Sequence, residues 1–151
     1  MNSFIQPLSA SCKPLNTDDT YLDQVIGYYH LQLLKHYDRL QHIVPLKMQL
    51  EDVKQRRWGY CDRTLGLHLP SAETLEGGAI RGALQRLGVF KPNGRELFRG
   101  CIVIPVLDES GAVIAIKGKR VATQLPRRCP RWIDWFRQGE QVYGGCYVQH
   151  S

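Results

Sequence analysis

FRGCIVIPVLDESGAVIAIKGK, residues 98–119, decides the fold of this chain. Residues 101–107 and 112–116 are short, β-branched and apolar at nearly every position, which suits strands covered on both faces. Asp108, Glu109, Ser110 and Gly111 supply a polar turn between them, with a glycine able to take positive φ. The pattern predicts a β-hairpin. Cations crowd close behind it: between Ala112 and Arg137 stand seven Lys or Arg against a single acid, Asp134. That excess equals the formal net charge of the whole protein, +6, so the remainder is balanced. A basic excess gathered in one segment points to a polyanionic partner.

Upstream of the hairpin the periodicity is helical. Leu22, Val25, Ile26, Tyr29, Leu33, Tyr37 and Leu40 recur at three- and four-residue steps and form one apolar stripe. Asp18 and Asp19 precede it, where they suit an N-terminal cap and the helix dipole. Gly27 weakens this helix by about 1 kcal/mol relative to alanine, less than the stripe contributes. Pro45 ends the element. A second helix is expected over about 47–57 and a third over about 74–87, after a turn at Cys61, Asp62, Arg63 and Thr64. In the third, Leu75, Ile80, Leu84 and Leu87 are expected to face inward, Arg81 and Arg86 to lie on or beside the outward face, and Gly88 to form the C-terminal cap.

Downstream, residues 124–149 show little regular periodicity and carry Pro126, Pro130, Gly139, Gly144 and Gly145. They read as an extended, wrapping tail with one short strand around 141–147. The expected organisation is therefore an irregular arm over 1–17 and a single domain over 18–151. Its helical part spans about 18–88, and its hairpin and basic tail about 98–148. The fold class is α+β, with N-terminal helices packed on a small antiparallel or mixed sheet.

Composition narrows the function classes. A chain of 151 residues is expected to form one domain. No run approaches the roughly 18 apolar residues of a membrane span, and the first residues lack a secretory pattern, so a cytoplasmic protein is expected. Five cysteines, Cys12, Cys61, Cys101, Cys129 and Cys146, are odd in number and unpaired in spacing, which suits reduced thiols. Zinc is disfavoured because no CxxC, CxxH or HxxxH is present. There is no GxSxG elbow, no GxxxxGK[ST] phosphate loop and no DxD pair for metal-assisted phosphoryl transfer. No catalytic residue, metal or cofactor is assigned.

The basic segment remains. Lys117, Lys119, Arg120, Arg127, Arg128, Arg131 and Arg137 are interleaved with Trp132, Trp135, Phe136, Tyr143 and Tyr147. Cations neutralise backbone phosphates, and flat rings stack on unpaired bases at about 1–3 kcal/mol each. A solvated basic face with the tryptophans in the core is the competing reading, and the residues alone leave the two open.

FRGCIVIPVLDESGAVIAIKGKR, then CPRW, then FRQGEQVYG resembles the amino-terminal half of the catalytic core of bacterial replicative primases. The resemblance is stronger to primase-like proteins of plasmids and integrative elements, whose order and spacing WGYCDRTLG and GGAIRGALQRLGVFKPNGRELF also match. It spans roughly residues 20 to 148. It implies a mixed α/β subdomain whose basic surface holds the single-stranded template and helps bind nucleotide. By position the family's Gly-Gly-Arg arginine falls on Lys119, with Arg120 beside it. Its Lys-Tyr pair falls on Arg131 and Trp132, its asparagine on Asp134 and its next lysine on Gln138. Arg99 matches the arginine that opens the hairpin.

The departures shape the expectation. Lys119 keeps the charge but lacks arginine's bidentate fork. Asp134 and Gln138 replace neutral and cationic groups, which weakens the case for triphosphate binding there. Residues 1–20 hold no zinc ribbon, and the sequence ends at Ser151, where the family enters its Toprim domain. Without those carboxylates magnesium is not positioned for phosphodiester formation. The expected function is therefore a non-catalytic, primase-like protein of a mobile element (phage or plasmid) that binds single-stranded DNA or RNA. Arg99, Lys117, Lys119, Arg120, Arg127, Arg128, Arg131 and Arg137 would contact phosphates, and Trp132 and Trp135 would stack. Two alternatives stand beside it. One is a small anti-defence inhibitor that binds a host protein or ribonucleoprotein. The other is the template-binding half of a split primase with a separately encoded Toprim subunit.

Overall fold

The computed structural model describes residues 17–43 and 49–137. Its elements run α1 (Thr17–Ile43), α2 (Leu50–Arg56), β1 (Gly59–Tyr60), α3 (Leu65–His68), α4 (Leu75–Leu87), β2 (Cys101–Leu107), β3 (Val113–Arg120) and β4 (Trp132–Phe136). The four strands form an antiparallel sheet in sequence order, β1-β2-β3-β4. The expected α+β class is what forms.

Register sorts the sheet residues onto two faces. Val103 pairs with Gly118 and Gly118 with Ile133, while Ile116 pairs with Trp135, so these share one face with Cys101. Ile102 pairs with Lys119 and Lys119 with Trp132, while Ile104 pairs with Lys117 and Lys117 with Asp134; these occupy the other. The first face is packed. Leu22, Val25, Ile26 and Tyr29 of α1 join Ile80 and Leu84 of α4 against Cys101, Val103, Ile116 and Trp135 in the main core. Each such side chain taken out of water contributes about 1.5–3 kcal/mol. Gly118 sits under the ring of Phe98, where any Cβ would collide.

The stripe on α1 serves both faces. Beyond Tyr29 the helix passes the β1 edge of the sheet, and a Cβ on Gly59 would lie 2.6 Å from that of Tyr29. Leu33 and Leu40 then pack with Val53 of α2 against Ile102 on the second face. The helix breaks its regular dihedrals at His36 (φ −108°, ψ 15°), between those two leucines.

Several expectations need correction. The second strand of the hairpin continues to Arg120, because Gly118 lets it pass Phe98 and Lys117 and Lys119 point to the other face. The strands are covered on both faces only near Ile102; Val106 and Leu107 are exposed. The tail contains strand β4 at 132–136, since Ile133 and Trp135 alternate inward beside β3. Leu75 is exposed rather than inward, because it occupies the first position of α4, just after the Thr74 cap. Gly88 caps α4 as expected, at φ 92°. The second helix starts at Leu50, and the short α3 was not anticipated. The strand expected around 141–147, Gln138, Tyr143, Tyr147 and the arm up to residue 16 lie outside the described residues.

Candidate nucleic-acid interface

The second face of the sheet changes character between its two halves. Under β1 and β2 it is closed by α1 and α2; over β3 and β4 no described element covers it. Strand alternation then presents Lys117, Lys119, Trp132 and Asp134 together. Lys117 and Asp134 are exposed cross-strand partners, and Trp132 is 44% exposed. Lys119 Nζ lies 5.2 Å from the centroid of the Trp132 ring, a cation–π pair that holds the indole against the strand. A flat ring under one ammonium group, with a second lysine on the same face, can stack on a base while the cations meet its neighbouring phosphates.

The loop from β3 to β4 continues the basic character at one end of the sheet. Arg127 and Arg128 are exposed there, in a turn where Cys129 N–H donates to Pro126 O at 3.0 Å. Arg131 spends its guanidinium on this loop. It donates to the carbonyls of Arg120 (3.1 Å), Ala122 and Thr123. Arg120 faces the opposite side of β3, opposite Cys101, and its Nε donates to Pro130 O at 2.8 Å. Burial pushes the Cys101 thiol up to about 11, against the lowering influence of the Arg120 and Arg63 charges.

Two of the ten candidate residues are engaged by the fold itself. Trp135 is 6% exposed and its indole N–H donates to Leu87 O at 2.6 Å, so the ring is a core side chain with its one donor satisfied. Three residues from Trp132, it lies on the other face. Arg137 is locked by Asp19 at 2.6 Å and by two donations to Val113 O. With Asp18 pairing to Arg86 at 3.1 Å, both expected cap residues also act as tertiary anchors. Arg99 stands apart from the open face, in a cleft with Arg63, Arg81 and Arg95 that sequence reading missed. The structure thus gathers Lys117, Lys119 and Trp132, sets Arg127 and Arg128 on the adjoining loop, and separates the rest.

This architecture, helices on one side of a four-stranded antiparallel meander and half of the other side open, is that of the first subdomain of a primase core. No family model matches the chain. The DNA primase of Aquifex aeolicus is 25% identical over 82% of this chain, which spans 25% of that protein's length. The crystal structure of the Aquifex aeolicus primase zinc-binding and RNA polymerase domains aligns with a TM-score of 0.60 at 21% identity, over 88% of this chain and 34% of that one. A DNA primase domain from Pseudomonas aeruginosa gives 0.59 at 21% identity, over 84% and 42%. The DnaG primase catalytic domain bound to single-stranded DNA gives 0.54 at 20% identity, over 85% and 43%. The chain is therefore similar, over a fraction of their length, to the N-terminal region of bacterial primase catalytic cores.

Proposed function

We propose that this region binds single-stranded nucleic acid across the open face of β3 and β4. Lys117, Lys119, Arg127 and Arg128 contact phosphates and Trp132 stacks on a base. The observation that carries the reading is the Lys119–Trp132 pair beside the exposed Lys117, on the half of the second face that no described element covers. The similarity to primases, one of them solved with single-stranded DNA, supports it. The role proposed for these residues is binding rather than primer synthesis. Among the described residues no group of three or more His, Cys, Asp or Glu could hold a metal ion.

Four neutralised phosphates imply that affinity for a single strand falls roughly 50-fold between about 50 and 200 mM salt, from a slope near 0.7 per phosphate. Fluorescence anisotropy with a labelled oligonucleotide measures this. A flat salt response, or unchanged affinity in Lys117→Glu/Lys119→Glu, would count against the proposal. The origin in a mobile element, a host protein or ribonucleoprotein as target, and a separate Toprim partner rest on the motif resemblance. A pull-down before and after nuclease treatment separates strand binding from direct protein binding.

A further inference from the structure

A cleft of about 270 Å³ opens on the packed side of the sheet, lined by Arg63, Arg81, Arg95, Arg99, Phe90 and Glu96 among others. It lies at the same end of the sheet as Lys119 and Trp132. Arg99 and Gly100 directly precede Cys101, whose strand partner is Arg120, and Val121 N–H donates to Gly100 O at 3.0 Å. Four guanidinium groups face one acid there. That acid is already engaged: Glu96 Oε1 accepts from the Tyr29 hydroxyl at 2.6 Å and from the Cys61 thiol at 3.1 Å, inside the main core. Among the described residues the ion pairs use Arg57, Arg86 and Arg137, with His36, and none of the cleft arginines. Arg81 donates to the Pro70 and Gly66 carbonyls, which fixes its position without neutralising it.

The cleft is also held in place. Arg63 has φ 72°, a conformation few L residues adopt, and it is kept there by Asp62, whose Oδ1 accepts from both the amide and the hydroxyl of Thr64. Burial pushes the Asp62 carboxyl up, but Thr64, Gln32 and His36 together outweigh it and hold it below the ordinary carboxylate value. Facing Arg63, Gly100 has φ 74°, and a Cβ there would lie 2.9 Å from Arg63 Nη2. The left-handed turn at Arg63 and the missing Cβ of Gly100, a glycine free to take positive φ, thus bring one guanidinium against the chain beside Arg99. Gathering four guanidinium groups against a single carboxylate is unfavourable in the empty cleft and favourable once a compact anion arrives.

We infer that this cleft binds a phosphomonoester, the end group of a mononucleotide or of a strand's 5′ terminus. Such a group carries about −1.5 to −2 charges at neutral pH and three acceptor oxygens, which suits several guanidinium forks better than an internal phosphodiester does. The cleft stands on its own geometry; the choice of a nucleic-acid ligand rests on the strand-binding reading above. A strand lying on the open face and turning round the sheet end would bring its terminus to the cleft.

The test compares two oligonucleotides of one sequence, 5′-phosphorylated and 5′-hydroxyl, by anisotropy, with inorganic phosphate and a nucleoside 5′-monophosphate as competitors. The phosphorylated strand is expected to bind about tenfold more tightly, the scale of one or two charge-assisted hydrogen bonds. Arg95→Gln/Arg99→Gln should abolish that preference, whereas Lys117→Glu/Lys119→Glu should weaken both strands and leave their ratio intact. If the monophosphate competes as well as the phosphorylated strand, the source is the free nucleotide. Should neither strand bind, phosphate titrated into ¹⁵N-labelled protein still decides: shifts at the Gly94 and Gly100 amides uphold the cleft while the strand reading falls. Equal affinity of the two strands with no such shifts, or a preference that survives Arg95→Gln/Arg99→Gln, overturns the inference.

Discussion

The two faces of the β3–β4 ribbon are built from the same ten or so residues and have opposite chemistry. One presents Ile116, Gly118, Ile133 and Trp135 to the core, and the other presents Lys117, Lys119, Trp132 and Asp134 outward. Two tryptophans three residues apart mark the contrast. Trp135 is enclosed with its N–H bonded to Leu87, while Trp132 lies open beneath an ammonium group. Alternation of side chains, not composition, separates the buried aromatic from the exposed one.

The contrast can be broken most strongly from the inside. Trp135→Ala should cost about 3–5 kcal/mol of stability, the range for truncating a large buried aromatic, read as a lowered urea midpoint. Trp132→Ala should leave the midpoint nearly unmoved and instead weaken strand binding by about 1–3 kcal/mol in an anisotropy titration. A swapped pattern, with Trp132→Ala unfolding the protein, would dissolve the distinction between the faces.

The packed side is also expected to respond to alkali. Cys101 is raised by burial to about 11 from an ordinary 9.0, and burial with the nearby Glu96 charge raises Cys61 further. Both thiols keep their protons longer when folded than when unfolded. Their contribution to stability is therefore complete below about pH 9 and is lost as pH rises towards and through the folded values. Urea unfolding at stepped pH should show stability falling above about pH 9, by up to about 1.4 kcal/mol per pH unit for each thiol. Cys101→Val should flatten part of that slope; an unchanged slope would remove Cys101 from the account.

The smallest expected effect sharpens the open face. Asp134 is the cross-strand partner of Lys117 and places a negative charge where a phosphate would lie. Asp134→Asn should raise strand affinity a few-fold at low salt and less at high salt, since the screening length shrinks from about 30 Å at 0.01 M to about 3 Å at 1 M. A loss of affinity would mean that Asp134 contacts the ligand favourably.

Much of this was legible in the sequence because it was written in period. The α1 stripe, the α4 cap at Gly88 and the 101–107 strand all follow from local spacing, and each forms. Strand β4 was hidden by the prolines just before it, although WIDWF alternates in the way a half-buried strand does. The candidate site was legible as a charge excess but not as a surface. Sequence proximity put Arg131 and Arg137 with Lys117 and Lys119, whereas the fold spends the first on its own loop and the second on Asp19. The arginine cleft left little local trace, because Arg63, Arg81 and the Arg95–Arg99 loop come from three segments joined only by tertiary packing.

The indole N–H resonances of Trp132 and Trp135 test the central claim within one molecule. As a single-stranded oligonucleotide is titrated into ¹⁵N-labelled protein, the Trp132 signal should move or broaden with saturation while the Trp135 signal stays in place. Binding that leaves Trp132 unmoved, or that shifts Trp135 in its stead, would contradict the account.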